Sequence, residues 1–168
     1  YVEFHGRSLA AWAKSHPNLI VLRTFSKWAG LAGLRVGYGV FSNEIIEHLW
    51  KIKQPYNVNV AGTAAALASL EDLEYLLGNV ARIVAERERL YRKLQRFDFL
   101  RPYPSRTNFI LLRVVGRGAH DLKMDLERRG VLIRYYDSPG LADHVRVSVG
   151  QPDQSDALLA ALEEIARE

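Results

Sequence analysis

Two apolar segments near the start of the chain have the pattern of strands. Residues 19–22 form the continuous apolar run Leu-Ile-Val-Leu, which is bounded by turn residues. Such a run is typical of a strand that is buried on both faces, as in a parallel sheet. Residues 34–41 follow a glycine-rich stretch and predict a second strand. Together these segments indicate the α/β fold class.

The helical segments are recognised by apolar residues that recur three and four positions apart. This spacing is longest over residues 73–97, where it predicts one long helix with a single buried face. Residues 59–70 are small and apolar, and we expect a buried helix there. Two further helices begin at the capping residues Ser8 and Asn43, and they end near residues 14 and 53, each shortly before a proline.

From residue 98 onward the pattern changes to short alternating strands and helices. Strands are predicted over residues 109–114, 131–135 and 145–149, and helices over residues 119–129 and 153–167. We therefore place a domain boundary between residues 97 and 98. Residues 98–168 are expected to form a small α+β domain at the C-terminal end.

The composition excludes several classes of protein. The 168 residues contain no cysteine, which rules out a disulfide scaffold, a thiolate zinc site and a cysteine nucleophile. The five histidines lack the spacing of a metal-binding pair, so we expect no metal. No apolar run is long enough to span a bilayer, and the first residues lack the layout of a signal peptide. We expect a cytoplasmic protein without a membrane partner, and the absence of an initial methionine predicts a piece of a longer chain.

The net charge is modestly positive, with 23 basic and 19 acidic residues and a formal value of +4. Much of the surplus lies in residues 82–101, where Glu86 and Glu88 interrupt the arginines. Interspersed charges of this kind are typical of a solvated helix face, so we expect no nucleic-acid partner. A dispersed surplus of this size suits small anionic ligands better.

The segment over residues 23–39 is the one that indicates chemistry. It reads Arg-Thr-Phe-Ser-Lys-Trp-Ala-Gly-Leu-Ala-Gly-Leu-Arg-Val-Gly-Tyr-Gly, and it places hydroxyls, a lysine and glycines directly after a predicted strand. In open α/β sheets, ligands bind at this end of the strands. The glycine spacing matches neither the dinucleotide-binding fingerprint nor the nucleotide phosphate loop, which disfavours nucleotide binding.

This segment resembles the lysine motif of the fold-type I pyridoxal-phosphate enzymes, and among them the histidinol-phosphate aminotransferases. The resemblance begins at residues 24–27, Thr-Phe-Ser-Lys, and continues over residues 30–38, Gly-Leu-Ala-Gly-Leu-Arg-Val-Gly-Tyr. It extends to Thr-Asn-Phe at 107–109, Leu-Ile-Arg at 132–134 and Val-Arg-Val-Ser-Val-Gly at 145–150. The resemblance implies that residues 1–97 belong to the large cofactor-binding domain of an α/β fold, in which helices pack on a mixed, mostly parallel sheet.

The resemblance also implies roles for residues of the lysine motif. Lys27 forms a covalent bond with the aldehyde of pyridoxal 5'-phosphate, and its freed amine then moves the substrate α-proton. Arg35, Ser26 and Thr24 hold the cofactor phosphate, a dianion that suits a guanidinium and hydroxyl donors. Tyr1 matches the tyrosine of a D-x-A-Y motif and donates to the 3'-oxygen of the cofactor. The aspartate of that motif falls upstream of Tyr1, outside this sequence.

Substrate-binding residues are implied in the C-terminal part. Arg146 lies between two valines on a strand and matches an arginine that binds the substrate carboxylate or phosphate, and Arg134 is assigned to the substrate phosphate. A solvent-facing arginine on a sheet is the alternative for both. Asn57 is a third candidate, although the segment around it is equally consistent with a plain loop.

The activity implied by the resemblance is transamination between an amino donor and a phosphorylated keto acceptor. Glutamate and imidazole-acetol phosphate are the expected small-molecule pair, and a homodimer is expected from the family. One alternative in the same fold is a threonine-phosphate decarboxylase or another amino-acid aminotransferase. A second alternative, from another class, is a non-catalytic fragment or binding module. We expect the isolated 168-residue chain to be inactive.

Overall fold

The computed structural model describes all 168 residues. They form two compact units, Tyr1–Val80 and Ala81–Glu168. The division falls inside the longest helix of the chain, upstream of the boundary expected from the sequence between residues 97 and 98. The pattern of apolar residues continues along that helix without a break, so the sequence does not indicate a boundary at Val80.

The chain contains six α-helices, two short 3-10 helices and six strands. The α-helices are α1 (Val2–His5), α2 (Asn43–Ile52), α3 (Val60–Glu71), α4 (Leu73–Leu94), α5 (Ala119–Arg128) and α6 (Pro152–Ile165). The 3-10 helices cover Ala10–Lys14 and Ala32–Leu34. The strands are β1 (Val21–Thr24), β2 (Gly37–Val40), β3 (Leu100–Pro102), β4 (Phe109–Val114), β5 (Arg134–Tyr135) and β6 (His144–Ser148). None of the helices combines the length and apolarity that crossing a bilayer requires.

The first unit contains a two-stranded sheet in which β1 and β2 pair antiparallel. The expectation of a parallel strand buried on both faces is therefore wrong for this segment. Leu22 is 77% exposed, and the side chains of β1 alternate between partly buried and exposed. Gly37 pairs with Thr24, and a Cβ atom at Gly37 would approach the Arg23 carbonyl oxygen to 2.7 Å. Glycine at this position therefore permits the close approach of the two strands.

Helix α3 begins at Asn59, whose side-chain oxygen accepts a hydrogen bond of 2.7 Å from the Gly62 amide. The same side chain donates its Nδ2 hydrogen to the Leu34 carbonyl oxygen at 3.1 Å. The sequence predicts a buried helix here, but within it only Gly62 and Ala66 are buried and Val60 is 87% exposed. That expectation is wrong. Small apolar side chains favour burial, but burial also requires another element to pack against, and most of α3 has no such neighbour in this chain.

The second unit is built on a four-stranded sheet with the order β3-β4-β6-β5 and only antiparallel pairs. Strand β4 has the predicted bounds, and β6 begins one residue earlier than predicted. Strand β5 is shorter than predicted because only Arg134 and Tyr135 pair with β6. The sequence pattern does not predict strand β3, because this strand has only three residues and ends in Pro102. The core lies between this sheet and apolar residues of α4, α5 and α6.

Helix α4 confirms the long helix expected from the spacing of three and four, over 22 residues. In the second unit its buried residues include Leu90 and Leu94, each fully buried. Arg87 is also buried, and its Nη1 donates to the Thr107 carbonyl oxygen at 2.9 Å. The helix therefore packs through one apolar face that also includes a satisfied guanidinium.

Candidate functional site

The turn that follows β1 brings two candidate hydroxyls together. Thr24 Oγ1 lies 2.8 Å from Ser26 Oγ and accepts a hydrogen bond of 3.1 Å from the Ser26 amide. The same Thr24 oxygen lies 3.3 Å from the carbonyl oxygen of Val36. The two side chains predicted from the sequence as phosphate donors are thus neighbours at the end of one strand.

Lys27 lies in the same turn, with an exposed side chain. The turn is closed by a hydrogen bond of 3.3 Å from the Gly30 amide to the Lys27 carbonyl. Beneath it, the buried ring of Phe25 packs against Trp28 with centroids 5.2 Å apart. Trp28 Nε1 donates to the Thr24 carbonyl at 2.9 Å. The apolar side of the turn is therefore anchored, and Lys27 is presented on its open side.

Arg35 has the only positive φ angle among the non-glycine residues, with φ 57° and ψ 43°. It follows the 3-10 helix Ala32–Leu34, and its Nη1 donates to the Ala32 carbonyl at 3.0 Å. A left-handed conformation costs a residue with a Cβ atom roughly 1–2 kcal/mol. Strained backbone of this kind is concentrated at functional sites, so the angle supports a functional role for Arg35.

The electrostatic environment of this turn favours an anion. Glu3 is the one carboxylate among residues 1–43, which contain five lysines and arginines. Its Oε1 lies 2.5 Å from Arg23 Nη2 in an ion pair. Lys27 and Arg35 form no ion pair, since no carboxylate lies within 4.0 Å of either charge. Both cations are therefore available to a negatively charged ligand.

Tyr1 also lies close to the end of β1. It precedes helix α1, and its ring contacts Phe4 with centroids 6.4 Å apart. Tyr1 and Thr24 line the same cavity of about 220 Å³, together with Glu3 and Arg23. The structure thus brings Tyr1 to the strand end that carries the hydroxyl pair.

Arg134 and Arg146 meet in the second unit, where they are directly opposite each other on β5 and β6. Both guanidinium groups lie over the ring of Tyr136, at 5.5 Å and 5.8 Å from its centroid. Arg146 also lies 5.0 Å from the Phe109 ring centroid, and its buried Nε has no hydrogen-bond partner. Neither arginine forms an ion pair with a carboxylate. Two adjacent unpaired guanidinium groups are suited to a phosphate or carboxylate.

Sequence reasoning alone does not identify Tyr136 and Phe109 as part of this arginine pair. The signal for Tyr136 is its position two residues after Arg134, since alternate residues of an extended segment share a face. Phe109 lies on β4, two residues from Leu111, which pairs with Arg146. In the sequence it is only the first residue of a predicted strand and the last of the Thr-Asn-Phe motif. Asn57 is exposed in the connection between α2 and α3, outside both clusters.

The sequence profile described as Aminotransferase class I and II matches residues 1–162. The chain belongs to the class I and II aminotransferase family. This aminotransferase-family chain is 54% identical over 169 residues to the histidinol-phosphate aminotransferase of Roseiflexus castenholzii. That match covers 99% of the chain and 46% of the relative. The chain spans about half the length of the curated relatives that it matches.

Solved structures of the family are similar over the whole chain. The histidinol-phosphate aminotransferase of Clostridium acetobutylicum has a TM-score of 0.90 at 28% identity, covering 99% of this chain and 52% of that one. The L-threonine-O-3-phosphate decarboxylase of Porphyromonas gingivalis has a TM-score of 0.88 at 28% identity, covering 100% and 53%. The histidinol-phosphate aminotransferase of Sinorhizobium meliloti, solved with pyridoxal 5'-phosphate, has a TM-score of 0.76 at 34% identity, covering 90% and 42%. The aminotransferase-family chain therefore shares the fold of these neighbours.

Proposed function

We propose that the protein containing this chain is a pyridoxal-phosphate-dependent aminotransferase. It transfers the amino group of histidinol phosphate to 2-oxoglutarate and forms imidazole-acetol phosphate and glutamate. The observation that carries the proposal is the turn after β1, where an exposed lysine and an arginine without an ion pair accompany two adjacent hydroxyls. The 54% identity to a histidinol-phosphate aminotransferase supports the choice of substrates.

The residues of this turn fit the cofactor. A phosphate dianion needs hydroxyl donors and positive charge, and Thr24, Ser26 and Arg35 supply them beside a strand end with no free carboxylate. When bound, pyridoxal 5'-phosphate withdraws electrons from the substrate α-carbon. Lys27 would hold the cofactor covalently through Nζ and then carry the α-proton of the substrate on the same nitrogen. Tyr1 would donate its phenol hydrogen to the 3'-oxygen of the cofactor.

The arginine pair of the second unit fits the substrates. Histidinol phosphate carries a phosphate monoester, and both glutamate and 2-oxoglutarate carry carboxylates. Arg134 and Arg146 would bind these groups in alternate half-reactions, because each substrate presents an anion to the two guanidinium forks.

Asn57 remains a proposed substrate-binding residue. A homodimer is part of the proposal, and light scattering of the purified protein tests it.

The direct test uses protein expressed from its complete reading frame and supplied with pyridoxal 5'-phosphate. We expect Lys27-dependent absorbance in the visible region and glutamate formation from histidinol phosphate and 2-oxoglutarate. In Lys27→Ala the covalent bond and the proton carrier are both lost, so the rate should fall at least about a hundredfold. Lys14→Ala, in an exposed lysine of the first unit, is the matched control and should leave both readouts unchanged.

A second candidate is decarboxylation of threonine phosphate. It is favoured by the solved decarboxylase with a TM-score of 0.88, and its phosphorylated substrate suits the same arginine pair. The two activities are separated by assaying carbon dioxide release from threonine phosphate beside amino transfer from histidinol phosphate. Release of carbon dioxide without amino transfer would overturn the main proposal. Absence of both, together with absence of visible absorbance, would favour a non-catalytic protein.

A further inference from the structure

The Glu3–Arg23 ion pair joins three segments of the first unit. Glu3 lies on α1 and Arg23 on β1, and their side chains are 11% and 21% exposed. The other guanidinium nitrogen, Arg23 Nη1, donates to Ser8 Oγ at 3.3 Å. The guanidinium also lies 5.9 Å from the ring centroid of Tyr38, its cross-strand neighbour on β2. One side chain therefore connects the start of the chain to both strands.

Helix α1 depends on these contacts for its position. It has four residues, and a single helical turn is not stable in isolation. The structure fixes it through the buried ring of Phe4 and through the Glu3 carboxylate. Tyr1 lies two residues before Glu3, and the amides of residues 4 and 5 donate to its carbonyl oxygen. The ion pair consequently restrains Tyr1 beside Thr24, across the cavity that both residues line.

The ion pair also sets the charge at the end of β1. Arg23 directly precedes Thr24, so an unpaired guanidinium there would compete with Arg35 for an anion. A free Glu3 carboxylate would place an unpaired negative charge in the cavity that Thr24 also lines. Pairing the two removes one cation and one anion together. Lys27 and Arg35 are then the cations without an ion pair in residues 24–39.

We propose that Glu3 and Arg23 are positioning residues, which hold Tyr1 beside the turn after β1 and withdraw the Arg23 charge from its anion site. This inference rests on the proposed function, which supplies the role of Tyr1 toward the cofactor. Neither residue touches the reacting atoms. Their effect passes through the placement of Tyr1 and through the charge next to Thr24.

The test uses the protein from its complete reading frame, with Glu3→Gln, Arg23→Gln, the conservative Arg23→Lys and the reciprocal exchange Glu3→Arg with Arg23→Glu. Lys14→Gln is the matched control, since Lys14 is exposed, lies outside residues 2–9 and outside this cavity, and forms no ion pair. The first readout is amide hydrogen exchange of residues 2–9 without cofactor. The second is the pH midpoint of the visible absorbance after cofactor is added.

We expect exchange of residues 2–9 to rise roughly tenfold in Glu3→Gln and Arg23→Gln, because the restraint on α1 is lost. A hydrogen bond donated to the 3'-oxygen stabilises its anionic form, so loss of that bond should raise the pH midpoint by about one unit. Arg23→Lys and the reciprocal exchange should recover much of both changes. Lys14→Gln should alter neither readout.

Three outcomes would overturn the inference, and they differ from a failure of the proposed function. Unchanged exchange in both single variants means that the pair does not restrain α1. Faster exchange with an unchanged midpoint means that the pair is structural only, and the proposed function then stands. Failure of the reciprocal exchange, when Arg23→Lys also shows no recovery, removes the ion pair as the cause. A wild-type protein without Lys27-dependent absorbance defeats the proposed function itself, and the inference falls with it.

Discussion

Arg134 on β5 is directly opposite Arg146 on β6, and no carboxylate forms an ion pair with either side chain. Like charges directly opposite each other destabilise an antiparallel pair by a fraction of a kcal/mol. The ring of Tyr136 lies under both guanidinium groups and offsets part of that cost. The arrangement is understandable if an anion occupies the space between them, since binding then relieves the repulsion.

Phosphate should therefore stabilise the folded protein. Ligand that binds only the folded state adds about 2.7 kcal/mol at a hundred times its Kd, which calorimetry detects as a rise in Tm with inorganic phosphate concentration. In Arg134→Gln or Arg146→Gln we expect phosphate affinity to fall about tenfold or more, because a charged hydrogen bond is lost. Arg113→Gln removes an exposed arginine already paired with Asp143 and serves as control. An equal loss of affinity in Arg113→Gln would show nonspecific binding.

Substitution by alanine at two glycines within helices should change the stability of the protein in opposite directions. At Gly62 a Cβ atom would lie 2.8 Å from Val36 Cγ2 and 3.1 Å from the Leu34 carbonyl oxygen. Gly62→Ala should therefore destabilise the first unit by about 1–3 kcal/mol through overpacking. A Cβ atom at Gly78 would meet no neighbouring atom within 4 Å, so Gly78→Ala should stabilise α4 by about 0.5–1 kcal/mol. Urea unfolding measures the free energy of unfolding of both variants. A change of the same sign in both would contradict the prediction.

The left-handed backbone of Arg35 allows its conformation and its charge to be tested separately. Arg35→Gly removes the strain and the guanidinium, whereas Arg35→Ala removes the guanidinium alone. The glycine variant should be more stable than the alanine variant by about 1 kcal/mol in thermal unfolding without cofactor. Both variants should lose cofactor affinity to a similar extent in absorbance titrations. Greater stability of Arg35→Ala would contradict the positive φ angle.

Acid should weaken the second unit through Glu86. This carboxylate is nearly buried, and its hydrogen bonds of 2.8 Å with the Arg89 guanidinium hold its pKa below the ordinary value. The stabilisation is complete above the unfolded glutamate pKa of about 4.3 and is lost as pH falls through the lower folded value. Glu86→Gln should therefore reduce the dependence of Tm on pH below about 4.3.

The control for this pH dependence is Glu163→Gln, because Glu163 is exposed on α6 and forms no ion pair. Its Tm should follow pH as in the wild-type protein. A Glu86→Gln variant with the same acid dependence as wild type would show that other carboxylates control acid unfolding. Asp156 is the first of these to test, since Arg89 also lowers its pKa.

Local patterns predict individual elements well. The spacing of three and four predicts α4, and the apolar pattern predicts β4 to the residue. The hydroxyls of Thr24 and Ser26, which the resemblance assigns to one phosphate, are neighbours in the structure, since they are two residues apart at the end of β1. These features depend on neighbours within one or two turns of backbone. Sequence periodicity reports such neighbours directly.

Features that depend on distant partners are not predictable in this way. The apolar run at 19–22 suggests burial on both faces, yet Leu22 is exposed. An apolar side chain favours burial, but the sequence pattern does not show which element, if any, packs against it. The Glu3–Arg23 pair spans twenty positions, and no spacing rule connects them. The positive φ of Arg35 is also invisible in the sequence, since arginine has no bias toward that region.

The side chain of Asn59 makes two unlike bonds, accepting at the start of α3 and donating to the Leu34 carbonyl. Aspartate would keep the first bond and turn the second into an oxygen facing an oxygen. A change of one amino group for one oxygen, with almost no change of volume, would thus leave the helix start intact and push away the loop that ends in Arg35. At this position a substitution usually regarded as conservative separates the start of the helix from the placement of Arg35.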